Sequence, residues 1–211
     1  MNSSLIIGLI ANLLWIPVIV PQLYTNWRLK STDGLSMGLI GIWIYADLLT
    51  IISGVFKHSN QIVIYSSIYH IGLVSILGGQ VCYYNPVSKR DIFFIILGFL
   101  TLIPISLLPG AADITATGSI LLFTVSRIPQ IILNWRRKSV HGLSIISFVI
   151  INVSNYLMLA SILVDIRSYI DLMKNIQWII SPFLTSMLDT IILFQFYHYT
   201  NYGQVNNRSD G

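Results

Sequence analysis

The stretch VPQLYTNWRLKSTDGLS, residues 20–36, decides the fold because it returns later in the chain as IPQIILNWRRKSVHGLS, residues 128–144. The two stretches align without a gap at an offset of 108 positions and are identical at ten of their seventeen positions. Each joins an apolar segment that carries Pro-Gln to a basic turn that ends in Gly-Leu-Ser. Self-similarity of this kind predicts that the chain folds as two related halves.

Composition places the chain in a membrane. Of its 211 residues, 55% are hydrophobic and only 9% are charged, which excludes an ordinary soluble protein. A helix needs about 20 apolar residues to cross the roughly 30 Å of bilayer hydrocarbon. Such runs can be placed seven times along the chain, so we expect an all-α integral membrane protein with seven transmembrane helices, and six is the alternative count. The predicted spans are about 5–27, 35–56, 61–84, 92–109, 112–135, 143–164 and 175–199.

The offset between the repeats predicts how the spans are grouped. It relates the first helix to the fifth and the second to the sixth, so the third and seventh helices complete two three-helix bundles and the fourth connects them. This 3+1+3 plan makes the halves parallel repeats about an axis along the membrane normal, as in some secondary transporters. The predicted bounds are 1–84 for the first bundle, 85–111 for the connector, 112–200 for the second bundle and 201–211 for the tail.

The distribution of basic residues predicts the orientation of the chain. Lysine and arginine are enriched in the cytosolic loops of membrane proteins. With the N-terminus in a lumen and the C-terminus in the cytosol, eight of these residues lie on the cytosolic side and three on the other. The cytosolic set is Arg28, Lys30, Lys89, Arg90, Arg136, Arg137, Lys138 and Arg208, and the opposite set is Lys57, Arg167 and Lys174.

The repeated prolines, Pro21 and Pro129, lie inside the first and fifth predicted spans. A proline in a helix lacks an amide donor and clashes with the carbonyl group four residues earlier. The sequence therefore predicts two kinks, which free the carbonyl groups of Pro17 and Val125.

The glutamines that follow these prolines, Gln22 and Gln130, are predicted to act with them as two symmetric hinges. A freed carbonyl group at membrane depth needs a partner from the protein or from a water-lined cavity. The adjacent side-chain amides of Gln22 and Gln130 are suitable donors. The alternative is that the prolines only shape the packing of the helices.

At the two Pro-Gln stretches the chain resembles the PQ-loop repeat family, whose members carry two such motifs on seven helices. Sugar carriers of the SWEET type are more distant relatives of that fold. Within the family, the chain is similar to the lysosomal and vacuolar cationic amino acid exporters. The segments that carry this similarity are WIYADLLTIISGVF (43–56), SRIPQIILNWRRKS (126–139), NVSNYLMLASIL (152–163) and QWIISPFLTSMLDTIILFQF (177–196).

The resemblance implies export of lysine, arginine or histidine from an acidic lumen to the cytosol, across a lysosomal or vacuolar membrane and accompanied by protons. One segment departs from the pattern. Those exporters often have a long hydrophilic stretch between the third and fourth helices, where this chain has only NPVSKRD, residues 85–91. Because of this difference, the resemblance does not fix the identity of the substrate or the regulation of the protein.

Asp47 lies well inside the second predicted helix, and the residue 108 positions later is Asn155. A charged side chain inside a membrane costs on the order of 2.5 to 3.5 kcal/mol on insertion scales, so it needs a partner or a function. We predict that Asp47 and Asn155 bind substrate, with the carboxylate as countercharge for a cationic group. The alternative is an internal ion pair between Asp47 and Arg127 that only fixes the packing.

Asp189 lies near the middle of the seventh predicted helix and is the predicted proton-coupling residue. A carboxyl group inside the membrane can bind a proton from an acidic lumen and release it to the cytosol. The alternative is a carboxylate that neighbouring Ser, Thr or Tyr side chains satisfy. His70 is the only histidine inside a predicted helix at membrane depth, and a core histidine is the preferred interpretation.

Catalytic and metal-binding classes have no support in the sequence. Cys82 is the only cysteine and the four histidines are scattered, so no metal site is predicted. No phosphate-binding glycine loop or nucleophile motif is present, so we expect neither an enzyme nor a cofactor. The basic residues are explained by orientation, and no nucleic-acid partner is expected.

The predicted function is secondary transport of amino acids by alternating access about the two proline hinges. The expected partners are an amino acid substrate, protons and membrane lipid. Two alternatives remain open: a carrier of a neutral solute such as cystine or a sugar, and a nutrient-sensing receptor or scaffold that recruits a cytosolic regulatory partner.

Overall fold

The computed structural model describes residues 3–56, 61–85 and 89–209, and all regular secondary structure in these residues is helical. The helices follow the apolar runs of the sequence. They are α1 (Ser3–Trp15), α2 (Val20–Leu29), α3 (Met37–Phe56), α4 (Gln61–Tyr84), α5 (Lys89–Ser106), α6 (Ala111–Val125), α7 (Arg127–Arg137), α8 (Ile145–Asp165) and α9 (Tyr169–Ser209).

Both Pro-Gln motifs lie just after an interruption in a long helical segment. The first segment breaks at residues 16–19 between α1 and α2, and Pro21 lies in the first turn of α2. The second breaks at Ser126 between α6 and α7, and Pro129 lies in the first turn of α7. A proline is tolerated in a first turn because its missing amide would have no partner within the helix there. Both helical segments are therefore interrupted beside the repeated proline, and the hinge role of the two prolines stays a prediction.

The helices that follow the Pro-Gln motifs end in the same way. Lys30 closes α2 with φ of 52° and Lys138 closes α7 with φ of 50°, a left-handed conformation that is uncommon for residues other than glycine. Each lysine lies over the tryptophan three positions before it, at 4.9 Å from the Trp27 ring and 4.4 Å from the Trp135 ring. The repeat is thus preserved down to individual side-chain contacts.

The helices pack with an approximate twofold relation between the halves. α1 packs along α8 and α3 packs along α6, so the first helix of each half lies against the second helix of the other. Within each half, α3 packs on α4 and α8 packs on α9. The short helices follow the same rule, because α2 contacts α4 and α8 while α7 contacts α9 and α3. The two halves therefore interlock, and α5 lies against α3 and α6.

Five helical segments among the described residues are long and apolar enough to cross a membrane. α4 is not one of them, and α5 contributes only the shorter apolar stretch Ile96–Ser106. Large apolar side chains cover the outside, as in Leu13, Ile103 and Phe194, which are 62%, 66% and 63% exposed. The membrane-type helical fold is confirmed, whereas seven spans in a 3+1+3 order remain a prediction. The five segments are Ser3–Leu29, Met37–Phe56, Ala111–Arg137, Ile145–Asp165 and Ile179–Thr200.

Candidate functional site

Gln22 joins the first half of the molecule to the turn of the second. Its side-chain nitrogen donates to the Gly142 carbonyl oxygen at 2.8 Å, and its side-chain oxygen accepts from the Ser144 amide at 2.7 Å. The same nitrogen donates to the Asn26 side chain at 2.8 Å, one turn along α2. Gln22 is only 4% exposed, so these bonds lie in the interior of the protein.

Gln130 makes the equivalent contacts in the opposite direction. Its side-chain nitrogen donates to the Gly34 carbonyl oxygen at 2.9 Å, and its side-chain oxygen accepts from the Ser36 amide at 2.8 Å. It also donates to the Asn134 side chain at 2.9 Å. We call the four bonds from Gln22 and Gln130 to the opposite turns the cross-brace, and the end of the bundle that contains these turns the loop end.

The cross-brace extends to the last helix of each half. The Asn26 side chain donates to the Gln80 side-chain oxygen at 2.9 Å, and the Gln80 nitrogen donates to the Leu23 carbonyl oxygen at 3.1 Å. In the second half, the Asn134 side chain donates in the same way to Gln195 at 2.8 Å. Each Pro-Gln motif is therefore connected both to the turn of the opposite half and to the last helix of its own half.

The glutamine contacts differ from the sequence-based expectation. Gln22 and Gln130 were expected to satisfy the carbonyl groups freed by their own prolines, but both reach across to the opposite half. The Pro17 carbonyl oxygen instead accepts from the Val20 amide at 3.0 Å within the interrupted turn. The expectation was wrong because it considered each helix alone, whereas the glutamines lie on the faces of α2 and α7 that meet the other half.

The two turns of the cross-brace approach each other so closely that glycine is required. A Cβ atom at Gly34 would collide with the carbonyl oxygen of His141. Gly142 has φ of +91°, a conformation that side chains rarely allow. The repeated Gly-Leu-Ser of the sequence therefore marks the point where the halves touch.

Farther from the loop end, Asp47 pairs with a histidine. The Asp47 carboxylate lies 2.6 Å from Nδ1 of His70, and Ser67 provides a further side-chain hydrogen bond. Asp47 is 2% exposed and lies halfway along α3. A carboxyl group and an imidazole of the first half are thus paired in the interior of the protein.

Asp189 pairs with Arg127 in the second half. Nε of Arg127 donates to one carboxylate oxygen at 3.1 Å, and the Asn155 amide donates to the other at 3.3 Å. Arg127 and Asp189 are 1% and 0% exposed. Two opposite charges in the interior offset each other and also hold α7, α8 and α9 together.

This pairing corrects the sequence analysis. The alternative that paired Arg127 with Asp47 was wrong, because each belongs to a separate ion pair with a different partner. Asp47 and Asn155, predicted to face a common substrate, bond to His70 and Asp189 respectively. The two proposed substrate residues therefore belong to neighbouring clusters that contact different partners.

Trp43 connects the two clusters. Its indole nitrogen donates to the Ser126 hydroxyl at 3.0 Å, in the break between α6 and α7. Its ring lies 5.4 Å from the Arg127 guanidinium carbon and 5.6 Å from the centre of the His70 ring. One aromatic side chain of the first half thus contacts a cation of the second half and the histidine beside Asp47.

A small cavity lies between the halves near the loop end. A cavity of ≈ 20 Å³ lies among α2, α3, α4 and α8, which is room for about one water molecule. Its wall includes Gln22 of the cross-brace, Trp43 and Ser147. An amino acid does not fit in this volume, and the cross-brace joins the two turns beside it, so the halves are held together at the loop end in this structure.

Sequence reasoning missed several of these residues. Asn26 and Asn134 were among the repeated positions, and that repetition was the available signal for a role. The sequence favours a core histidine at position 70, although His70 lies inside a predicted membrane helix. Gln80 and Gln195 lie outside the matched stretches and had no signal. Among the described residues, no three His, Cys, Asp or Glu side chains are grouped so that they could hold a metal ion.

Comparison with known families identifies two matching stretches. Residues 3–63 and 111–168 each match the family described as the PQ loop repeat. The matches begin 108 positions apart, which is the offset of the repeat. Together they cover more than half of the chain.

Related proteins match across most of their length. A vacuolar lysine transporter of Saccharomyces cerevisiae is 24% identical, with 88% of this chain and 89% of the relative aligned. The lysosomal amino acid transporter 1 homolog of Gallus gallus is 26% identical, with 93% and 80% aligned. A vacuolar histidine transporter of Saccharomyces cerevisiae is 23% identical, with 94% and 92% aligned. The alignments with the two yeast proteins extend over 275 and 285 positions, so these relatives hold extra residues within the matched region.

Proposed function

The chain belongs to the PQ-loop repeat family, and from that premise we propose that it is a secondary transporter of amino acids, with a preference for cationic ones. It carries them from the lumen of a vacuole or lysosome to the cytosol, together with protons. The names of the related proteins, two of which specify lysine and histidine, support the substrate class and the membrane. The seven-helix 3+1+3 order, with a lumenal N-terminus and a cytosolic C-terminus, is part of this proposal.

One observation carries the proposal: each of the two interlocked repeats buries an ionisable pair, Trp43 contacts both pairs, and the cross-brace holds the repeats together at one end. Asp47 and His70 come from the first half, and Arg127 and Asp189 from the second. Burying a charge at membrane depth costs free energy, and such charges typically mark ion or substrate pathways. Parallel repeats that rock about a central site are a recurrent design for alternating access.

In the proposed cycle the halves separate at the loop end after substrate has entered from the lumen. Pro21 and Pro129 serve as hinges, since each lies in the first turn after a helix break. Gln22 and Gln130 release the opposite turns as the hinges open. A helix break beside a proline has few backbone bonds to lose, so bending is concentrated there.

Within this cycle Asp47 supplies the countercharge for a cationic group, and Asn155 faces the substrate from the second half. Asp189 is the proposed carboxylate that couples protons to the rocking motion. Arg127 and Asn155 bind it in the closed arrangement, so it accepts a proton only when the α7 and α9 helices move apart. Its protonation would then govern the rate of rocking rather than the affinity for substrate.

The test is uptake of labelled arginine by cells that carry a plasma-membrane-directed form of the protein, at about pH 5 and about pH 7.5 outside, values on either side of the histidine range. We expect saturable uptake that is faster at acid pH, and glucose serves as the neutral control. Asp47→Asn should raise the half-saturating arginine concentration. Asp189→Asn should remove the pH dependence of the maximal rate, whereas the exposed Asp113→Asn should not.

Surface biotinylation must show equal amounts of each variant for these rates to be compared. If the protein reaches the surface and moves glucose but not arginine, the substrate class is wrong. If the protein reaches the surface and neither arginine nor glucose moves, the proposal that it is a transporter is wrong.

A further inference from the structure

The two ring nitrogens of His70 have unequal surroundings. Nδ1 lies 2.6 Å from the Asp47 carboxylate, whereas Nε2 is buried and has no hydrogen-bond partner. Buried polar atoms in folded proteins nearly always have a partner. In a neutral histidine with its proton on Nδ1, Nε2 can only accept a hydrogen bond, but in the protonated form it becomes a donor.

Aromatic rings from both halves surround this side chain. The ring centres of Trp15, Trp43 and Phe123 lie 6.3, 5.6 and 6.3 Å from that of His70. Trp15 and Trp43 belong to the first half and Phe123 to the second. The His70 ring therefore lies where the two halves meet.

Two charged groups lie near His70 on neighbouring helices. Asp47 on α3 is the direct partner of His70. Arg127 on α7 contacts the same Trp43 ring as His70 does, but the Arg127 charge is already paired with that of Asp189. An arginine does not release its proton in proteins, whereas histidine titrates near neutral pH. The α1 helix contributes no titratable side chain. The other titratable groups on the helices that contact His70 or pack against α4 are Tyr24 and Arg28 on α2, Tyr45 on α3 and Asp113 on α6.

We propose that His70 is a substrate-binding residue that takes up one proton and the carboxylate group of the transported amino acid together. A proton from the lumen binds to Nε2, and the resulting imidazolium keeps its Nδ1–H on Asp47. The new Nε2–H then donates to the substrate carboxylate. On the cytosolic side Nε2 releases its proton to water. The lone pair left on Nε2 repels the substrate carboxylate, so the amino acid is released as well.

The inference rests on the proposed function and extends it in two ways. It identifies the main-chain carboxylate of the substrate, rather than the substrate's side chain, as the group that binds to protonated His70. It also separates two proton effects, because His70 would control affinity while Asp189 would control the rate of rocking. An amino acid whose carboxylate is blocked should therefore lose the proton-dependent part of its binding.

The experiment measures the half-saturating concentration of arginine at about pH 5 and about pH 7.5 in the wild type and in His70→Gln. Because only the protonated form of His70 would bind the carboxylate, the half-saturating concentration should fall about ten-fold on acidification over this range. His70→Gln should show equal values at the two pH values, within about two-fold, because a glutamine amide donates at any pH. His198→Gln, the same change on the exposed side of α9, should behave as the wild type.

A second arm uses only the wild type and so does not depend on the folding of a variant. Arginine with its carboxylate converted to an amide is added as competitor at acid pH, and it should inhibit at least about ten-fold less than unlabelled arginine. The inference is overturned if His70→Gln keeps the ten-fold shift, or if the amide competes as well as arginine does. If the wild type carries no amino acid at either pH, the proposed function fails instead.

Discussion

Replacing Gln22 by alanine should open the molecule at the loop end. In the closed arrangement its side chain makes two bonds to the opposite half, one to the Gly142 carbonyl oxygen and one from the Ser144 amide. The third bond, to Asn26, lies within α2 and persists whether the halves are together or apart. Only the two bonds that cross between the halves therefore bias the equilibrium.

The size of the effect follows from those two bonds. A buried hydrogen bond contributes about 1 kcal/mol net, so their loss should weaken the closed arrangement by about 2 kcal/mol. Because each 1.4 kcal/mol is a factor of about ten, the fraction of open molecules should rise about thirty-fold while the closed arrangement remains the major one. Water satisfies the freed turn groups in the open arrangement, so no opposing penalty arises there.

The single native cysteine makes an accessibility assay straightforward. Cys82→Ser removes the exposed thiol, and Ser147→Cys then places one thiol in the wall of the small cavity near the loop end, where Ser147 is 5% exposed. A membrane-impermeant thiol reagent is added from the side of the loop end, and the rate of modification reports the open fraction. Adding Gln22→Ala should increase this rate about thirty-fold.

Two further variants test the reasoning. Thr25→Ala removes a hydrogen bond of 2.8 Å to the Pro21 carbonyl oxygen within α2, so the modification rate should not change. Gln130→Ala removes the matching half of the cross-brace and should act like Gln22→Ala. If both glutamine variants are folded and modified at the parent rate, the cross-brace does not hold the loop end closed.

Two other substitutions probe the contacts between and within the halves. Gly34→Ala should abolish transport and lower the melting temperature in a thermal unfolding scan, because its methyl group would collide with the opposite turn. Gly72→Ala, with open space around it, should leave both transport and the melting temperature unchanged. If Gly34→Ala also leaves both unchanged, the two turns do not approach as closely as described. Arg127→Met should destabilise the purified protein by about 3–5 kcal/mol in denaturant unfolding, since it leaves a buried charge unpaired. Adding Asp189→Leu should recover most of that loss, because it removes the unpaired charge. The exposed Arg136→Met should change the stability little. If the double variant shows no recovery, the loss does not come from an unpaired charge on Asp189.

Much of the fold could be predicted because it depends on order along the chain. Each of the seven apolar runs corresponds to a helical segment of the structure, although only five meet the length and apolarity of a membrane span. The first and fifth runs are each interrupted beside the repeated proline, as the loss of an amide donor requires. The offset of 108 between the two Pro-Gln stretches is also the offset between the two matches to the PQ loop repeat.

The candidate site was predicted only in part. The sequence identified Asp47, Arg127 and Asp189 as ionisable residues inside the membrane, and all three are buried. It did not identify their partners, since His70 is 23 positions from Asp47, and Asp189 is 62 positions from Arg127. Partner choice depends on which helix faces meet, and the sequence pattern of one helix does not contain that information.

By itself the sequence determined that this protein is a helical membrane protein built from two repeats, because hydrophobicity and repetition are properties of residue order alone. Only the tertiary structure decided that Gln22 and Gln130 hold the opposite turns and that Arg127 belongs to Asp189. Those contacts join residues 120, 96 and 62 positions apart. They depend on how each helix is rotated about its axis, and with about 3.6 residues per turn a shift of one position moves a side chain to a different neighbour.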